Sequence, residues 1–342
     1  MSVALIKSRF TNALKCYGSY ALDRLGSALP FIHRTLYTIH HLPTFVSVEP
    51  ASICQLHCPA CPVGLRYHKS QITTHQSQIM PLEVWHRTLQ QVASTAHTIQ
   101  FYFQGEPLLH PDLPQMIREA HDAGLYTIVS TNAQALTPEL AEALVASGLD
   151  RIIISMDGLT DTSYNAYRVG GSLDKTKAAI RYLREAKLSL PLNRSVFCQR
   201  SGLTIELQCL RLRTNEHEWR EFKRVYKSLG ADRLVFKTAQ LYDYAHGHPL
   251  MPSDPRYSRY TMGSDGLYHR KRLHRGCLRV WSGVVITTNG EVLPCCYDKA
   301  HTYAYGNIMT APLAELFTND RAKAFRKAAM QETPQICQEC WR

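Results

Sequence analysis

Three cysteines fall within the ten residues ICQLHCPACP, Ile53 to Pro62, at positions 54, 58 and 61. Spaced three and then two residues apart on a loop, Cys54, Cys58 and Cys61 can converge as thiolates on one metal centre, and soft sulfur ligands select zinc, copper(I) or iron–sulfur clusters. A closed structural site would use four protein ligands, so the trio leaves one coordination position for a substrate-like ligand. The alternative is a zinc site of three cysteines and a histidine, for which His57 or His68 is at hand. Toward the other end, Cys277, Cys295, Cys296, Cys337 and Cys340 form a second group that also reads as metal ligation, with a zinc knuckle as its alternative. Cys16, Cys198 and Cys209 stand apart and read as small buried hydrophobes.

The elements that must position these thiols follow from the alternation of apolar runs and helix-like segments after Pro43. FVSVEPA, TIQFYFQG, LYTIVSTN, DRIIISMDG, LTIELQCL and RLVFKTAQ read as six strands. Pro81–Ala96, Leu113–Ala123, Pro138–Ser147 and Leu173–Ala186 read as helices between them, with Gly124, Gly148 and Gly230 as stops and an Asn215/Glu218 capping box after strand five. Such alternation predicts a parallel sheet buried on both faces, curled into a barrel or left open, with chemistry at the C-terminal strand ends. The cysteine trio directly follows strand one and so belongs at that end. Residues 242–276 break the pattern with Gly, Pro, Tyr and basic residues and predict a linker or lid. Beyond it, SGVVITTNGEVLPCC predicts a hairpin with a type I′ turn at Asn289-Gly290, and PLAELFTNDRAKAFRKAAM predicts one helix.

The chain of 342 residues, 45% hydrophobic and 20% charged, is composed as a folded protein and not as a disordered one. Its 39 basic and 28 acidic side chains give +11, which admits anionic substrates, acidic lipid headgroups or nucleic acid without selecting among them. No apolar run approaches the roughly 20 residues of a membrane span, and MSVALIKSRF lacks a secretory core, so a cytoplasmic location is expected. Residues 1–45 predict a basic amphipathic helical arm, suited to packing across the main domain or to peripheral membrane contact.

With three cysteines in this spacing after a first strand, the chain resembles the radical S-adenosylmethionine (SAM) enzymes. The resemblance implies an α/β fold, a partial (β/α)6 TIM-type barrel over 46–241 with a small C-terminal iron–sulfur domain of β-hairpin plus helix over 277–342. It also implies a 4Fe-4S cluster on Cys54, Cys58 and Cys61 whose fourth iron chelates SAM, cleaved reductively to a 5′-deoxyadenosyl radical. FQGEP resembles the family's glycine-glycine-glutamate-proline segment, with Gln104 in place of the first glycine, Gly105 for close backbone approach and Glu106 for the cofactor's ammonium. IISMDG resembles the usual end of strand four, where Ser155 and Asp157 would face ribose or carboxylate. Arg168 matches an arginine that pairs with the methionine carboxylate, and STN brings Ser130 and Asn132 near. The aromatic residue often found before the third cysteine is replaced by Ala60, so adenine contact must come from elsewhere.

Twelve residues separate Cys277 from Gly290, four separate Gly290 from Cys295, and Cys337 and Cys340 close the set, a pattern that resembles the twitch form of the SPASM extension. This resemblance implies a second, auxiliary 4Fe-4S cluster on Cys277, Cys295, Cys337 and Cys340, filled by four thiolates and so suited to electron transfer. Cys296 is the competitor to Cys295. Substrate-facing candidates are Gln208, Lys237, Gln240, Tyr242 and Asp243, with Lys237 a base, an anion contact or a snorkelling surface lysine. The similar single-cluster enzymes imply dehydrogenation of a sugar or cyclitol alcohol, and other relatives imply peptide or protein side-chain maturation. A flavodoxin- or ferredoxin-type reductant is expected in either case. A third reading, a non-catalytic zinc or iron–sulfur RNA-binding protein, finds no RNA-recognition motif, and no nucleic-acid partner is expected.

Overall fold

The computed structural model describes residues 42–68, 78–189, 202–271, 277–331, 334–338 and 340. Residues 1–41 of the expected arm, Cys16, Cys198, the side chain of His68 and the 272–276 end of the expected lid lie outside the described residues. Among the described residues no helix is long and apolar enough to cross a membrane.

Six strands, β1 (Phe45–Val48), β2 (Thr98–Phe101), β3 (Tyr126–Thr131), β4 (Arg151–Ser155), β5 (Thr204–Arg211) and β6 (Arg233–Thr238), pair in chain order and all in parallel. Between them run α1 (Pro62–His68), α2 (Leu82–Val92), α3 (Leu113–Asp122), α4 (Pro138–Ala146), α5 (Asp161–Asn165), α6 (Leu173–Ser189) and α7 (Trp219–Val225). Alternate strand residues, Val46, Val48, Ile99, Phe101, Ile152, Ile154, Ile205 and Leu207, share one core with Trp85, Met116, Leu144, Ile180 and Phe222 of the helices. The intervening positions, among them Ser47, Gln100, Ser130, Ser155 and Gln208, turn to the other face because strand side chains alternate. The sheet is buried on both faces as expected, but the inner face is largely polar, the chemistry of a ligand-holding interior. Gly124, Gly148 and Gly230 do end their segments at positive φ, 85°, 83° and 103°.

β9 (Gly283–Ile286), β10 (Glu291–Leu293) and β11 (Gly306–Asn307) follow the small antiparallel ladder of β7 (Tyr260–Met262) and β8 (Tyr268–Arg270). The hairpin does not stand apart as a separate sheet. β9 pairs in parallel with β1, Phe45 opposite Gly283 and Val48 opposite Ile286, so one nine-stranded sheet runs β11-β10-β9-β1-β2-β3-β4-β5-β6. The physical reason is the free edge of β1, whose N–H and C=O groups find partners in the hairpin. α8 (Leu313–Thr318), α9 (Asp320–Gln331) and the short α10 (Gln335–Gln338) complete the chain. Leu313, Phe317, Ala322 and Phe325 of α8 and α9 join the same core.

Three local expectations are corrected. A type I′ turn needs positive φ at two central residues, but Gly290 has it (85°) and Asn289 does not. The turn closes by Gly290 N–H to Thr287 O (2.9 Å) and Thr287 N–H to Glu291 O (3.0 Å), a three-residue loop with glycine in the left-handed position. The helix expected across 312–330 breaks at Asn319, in extended conformation, whose Oδ1 accepts from Ala322 N–H at 2.9 Å and starts α9 as an N-cap. Asn215 and Glu218 form no capping box together: Asn215 accepts from Leu212 N–H and donates to the Asp157 carbonyl, while Glu218 accepts from Leu159 N–H, Thr160 and Ser163. They fasten the loop after β4 instead.

Candidate functional site

The cysteine loop leaves the end of β1 and turns into α1, with Cys61 N–H donating to the Cys58 carbonyl (3.1 Å). Two glycines let other backbone close on it. A Cβ at Gly64 would lie 2.4 Å from the Cys58 carbonyl oxygen, and one at Gly105 (φ 67°) would lie 2.1 Å from the Ala51 carbonyl oxygen. Glu106 N–H donates to the Ile53 carbonyl at 2.7 Å, so the FQGEP segment after β2 is bonded to the cysteine loop itself. Leu56 N–H and Asn132 Nδ2 both donate to Cys54 Sγ at 3.4 Å, and Arg168 Nη1 reaches Cys58 Sγ at 3.9 Å.

Burial pushes the Cys54 thiol up to about 12 and the Cys58 thiol up to about 11. A thiol in such a place ionises when a cationic centre replaces its proton, which is what an iron centre provides. Among the described residues no three Cys, His, Asp or Glu side chains converge as one metal ion would require. A cubane has no such requirement, because each thiolate binds a different iron corner. The donor set and the glycine cradle therefore fit a cluster better than a zinc ion.

Polar groups gather at the neighbouring strand ends. Glu106, only 2% exposed, accepts from Thr131 Oγ1 (2.5 Å), Asn132 N–H (2.8 Å) and Leu108 N–H (3.1 Å). Burial raises its carboxyl above the ordinary value against the pull of those bonds. Asp157 is fully buried and holds Arg168 Nε at 2.6 Å with one oxygen and Leu210 N–H at 2.6 Å with the other. Its carboxylate thus reaches the site through Arg168. Ser130 and Ser155 are buried at the ends of β3 and β4, and Ser155 pairs in register with Gln208. Gln104 donates from Nε2 to the Lys299 carbonyl at 3.2 Å.

Lys237, Tyr242 and Asp243 are exposed near the end of β6, with Gln240 half-buried. The 242–271 segment packs onto the cysteine loop: Leu250, Met251 and Tyr260 share an apolar cluster with Leu56, Cys58, Ala60 and Tyr167. Leu212, Ala239 and Leu241 belong to that cluster too, so residues just beyond β5 and β6 add to the apolar surface beside Ala60.

The second group is assembled by the hairpin and the last helices. Cys277 precedes β9, Cys295 follows β10, and Cys337 and Cys340 lie in and after α10, all four half-buried. Their mutual proximity shows in their electrostatics: Cys295 senses Cys277 and Cys337, and Cys337 senses Cys277 and Cys340. Burial pushes Cys337 up to about 11 and Cys295 higher still. Tyr297 N–H donates to Cys295 Sγ at 3.4 Å. Cys296 is exposed and lies within electrostatic reach of Tyr102 and Lys299.

Four residues escaped sequence reasoning: Glu49, Tyr102, Thr131 and Lys299. Tyr102 lies inside FYFQG between the buried Phe101 and Phe103 and is itself 38% exposed, an alternation that the local pattern carries. Thr131 flanks Asn132 in STN, whereas nothing local marks Glu49 or Lys299.

Family models carry the comparison further. The model described as the radical SAM superfamily matches residues 48–230, and one described as an iron–sulfur cluster-binding domain, SPASM, matches residues 277–341. An AdoMet-dependent heme synthase of Methanosarcina barkeri is 25% identical over 313 residues, 83% of this chain and 84% of that protein. A PqqA peptide cyclase of Streptomyces rochei is 26% identical over 326 residues, 87% of this chain and 81% of that protein. Among solved structures, BtrN in complex with AdoMet and 2-DOIA shares the fold with a TM-score of 0.52 at 17% identity, covering 88% of this chain and 94% of that one. A first match that runs from the end of β1 through β5 and α7 and holds the cysteine trio, and a second that holds Cys277, Cys295, Cys296, Cys337 and Cys340, place the chain in the radical SAM superfamily, with a C-terminal SPASM domain, 4Fe-4S clusters and SAM as its cofactors.

Proposed function

We propose that the protein is a radical SAM oxidoreductase that removes two electrons from an alcohol of a small polyol. When bound, the cofactors supply a 5′-deoxyadenosyl radical at the first site and an electron acceptor at the second. Cys54, Cys58 and Cys61 would hold three corners of the first cluster. Glu106 has three of about four acceptor positions filled, which leaves one for the ammonium of SAM. Arg168, held by Asp157, would present its remaining donors to the methionine carboxylate, and Asn132 and Ser155 line the same strand ends.

The observation that carries this reading is that Cys277, Cys295, Cys337 and Cys340 flank one hairpin and the last short helix and influence one another electrostatically, because a cluster held by all four thiolates would have no open iron for substrate and would serve electron transfer. BtrN, the fold neighbour bound to AdoMet and 2-DOIA, supports a small-molecule substrate. The test is anaerobic reconstitution with iron, sulfide and zinc counting, followed by incubation with deuterated polyols under dithionite. About eight irons per chain and transfer of label into 5′-deoxyadenosine are expected. About four irons with stoichiometric zinc would remove the second cluster and with it the oxidoreductase reading.

The second reading, side-chain modification of a peptide, is favoured by the PqqA peptide cyclases among the relatives. Label transfer from deuterated peptides, with none from any polyol, would select it.

A further inference from the structure

The loop that follows Cys296 returns to the end of β2, and the side chain it sends there is Lys299. Its ammonium donates to the Phe103 carbonyl at 3.1 Å and lies 4.1 Å from the centre of the Phe103 ring. The Lys299 carbonyl in turn accepts from Gln104 at 3.2 Å. These contacts clamp residue 299 to the segment that borders the first cysteine site. The same loop is tied to the second site by backbone, Asp298 N–H donating to the Cys295 carbonyl at 3.2 Å and Lys299 N–H to the Tyr297 carbonyl at 2.9 Å. The charge of Lys299 is felt by Cys296 and Cys61 and, less strongly, by the buried Glu49 and by Cys295.

Two other cations near the cysteines, Arg168 and Arg326, also have partners of their own. Arg168 is paired with Asp157 and reaches Cys58. Arg326 is 4% exposed, but its guanidinium donates to the carbonyls of Val280 and Phe317 and lies over the Phe317 ring. Lys299 senses both cysteine sites. Burial works against its charge, yet two anionic clusters of thiolate-bound iron would favour the ammonium, as opposite charges do.

We propose that Lys299 is a positioning residue for electron transfer, a fixed positive charge between the two sites that stabilises the added electron at the C-terminal cluster. The inference rests on the two-cluster reading above. A reduced cluster carries one more negative charge than an oxidised one, so a nearby cation raises its reduction potential; net charge and hydrogen bonding to sulfur are the protein's means of setting that potential.

The test separates charge from structure. Lys299→Gln keeps an N–H donor for the Phe103 carbonyl and removes the charge, whereas Lys299→Arg keeps both. In anaerobically reconstituted full-length protein, an EPR-monitored redox titration should show the C-terminal cluster of Lys299→Gln harder to reduce. The expected change is about tenfold in the reduction equilibrium, about 59 mV for a one-electron couple. Lys299→Arg should restore the wild-type value. An unchanged potential in Lys299→Gln, or equal shifts in both variants, would overturn the proposal. Failure of the two-cluster reading is recognised separately, since it leaves about four irons per chain and no second signal to titrate.

Discussion

Cys54, Cys58 and Cys61 lie within eight residues of one loop, whereas Cys277, Cys295, Cys337 and Cys340 reach their site from before a hairpin, after it, and beyond α9. At the first site the sulfurs receive N–H groups from Leu56, Asn132 and Arg168, and a glycine cradle presses backbone against the loop. At the second, Cys295 receives Tyr297 N–H while burial first, and the neighbouring thiols after it, raise Cys295 and Cys337. The first is thus a local motif trimmed electrostatically by strand ends, with an open corner. The second is a tertiary clasp that exists because β9 pairs with β1.

Replacing Cys54, Cys58 and Cys61 together by alanine should have the largest effect, because no strand-end group can substitute for the ligands. Cleavage of SAM should fall to background while about four irons remain in the second site. Continued 5′-deoxyadenosine formation in that variant would erase the functional distinction between the two sites. Next in size, Cys295→Ser should lose the second cluster, with iron falling by about half, and Cys296→Ser should retain it. The reverse pattern would pass ligation to Cys296 and turn the clasp toward Tyr102.

A smaller effect sharpens the electrostatic side of the contrast. Asp157→Asn leaves the Arg168 guanidinium buried without its carboxylate, a change that costs about 3–5 kcal/mol where such pairs are broken from one side. Denaturant unfolding of the apoprotein measures it, and Asp157→Asn should also weaken SAM binding by calorimetry. A loss below about 1 kcal/mol would place Arg168 in contact with water, as exposed pairs are.

Much of the first site was legible because its information is local. A spacing of three cysteines, a glycine that needs positive φ at Gly105, and polar residues closing apolar strands all concern neighbours in sequence or successive strand ends. The local errors have equally local causes. At Asn289-Gly290 a dipeptide that favours one hairpin turn accommodates another with the same glycine, and at Asn319 a cap residue inside a helical pattern was outweighed by the periodicity around it. Asn215 and Glu218 had the right types and spacing for a cap, but the loop after β4 offered them tertiary partners.

The sequence by itself determined the six-strand alternation, the trio with its vacant coordination position and the grouping of the later cysteines, since each depends on residue type and periodicity. The tertiary structure decided that the hairpin extends the parallel sheet from β1, that Asp157 pairs with Arg168, and that the Lys299 ammonium meets the Phe103 carbonyl after β2. Those facts depend on the pairing of strands far apart in the chain and on burial at their junction, and neither hydrogen-bond register nor desolvation is written in local composition.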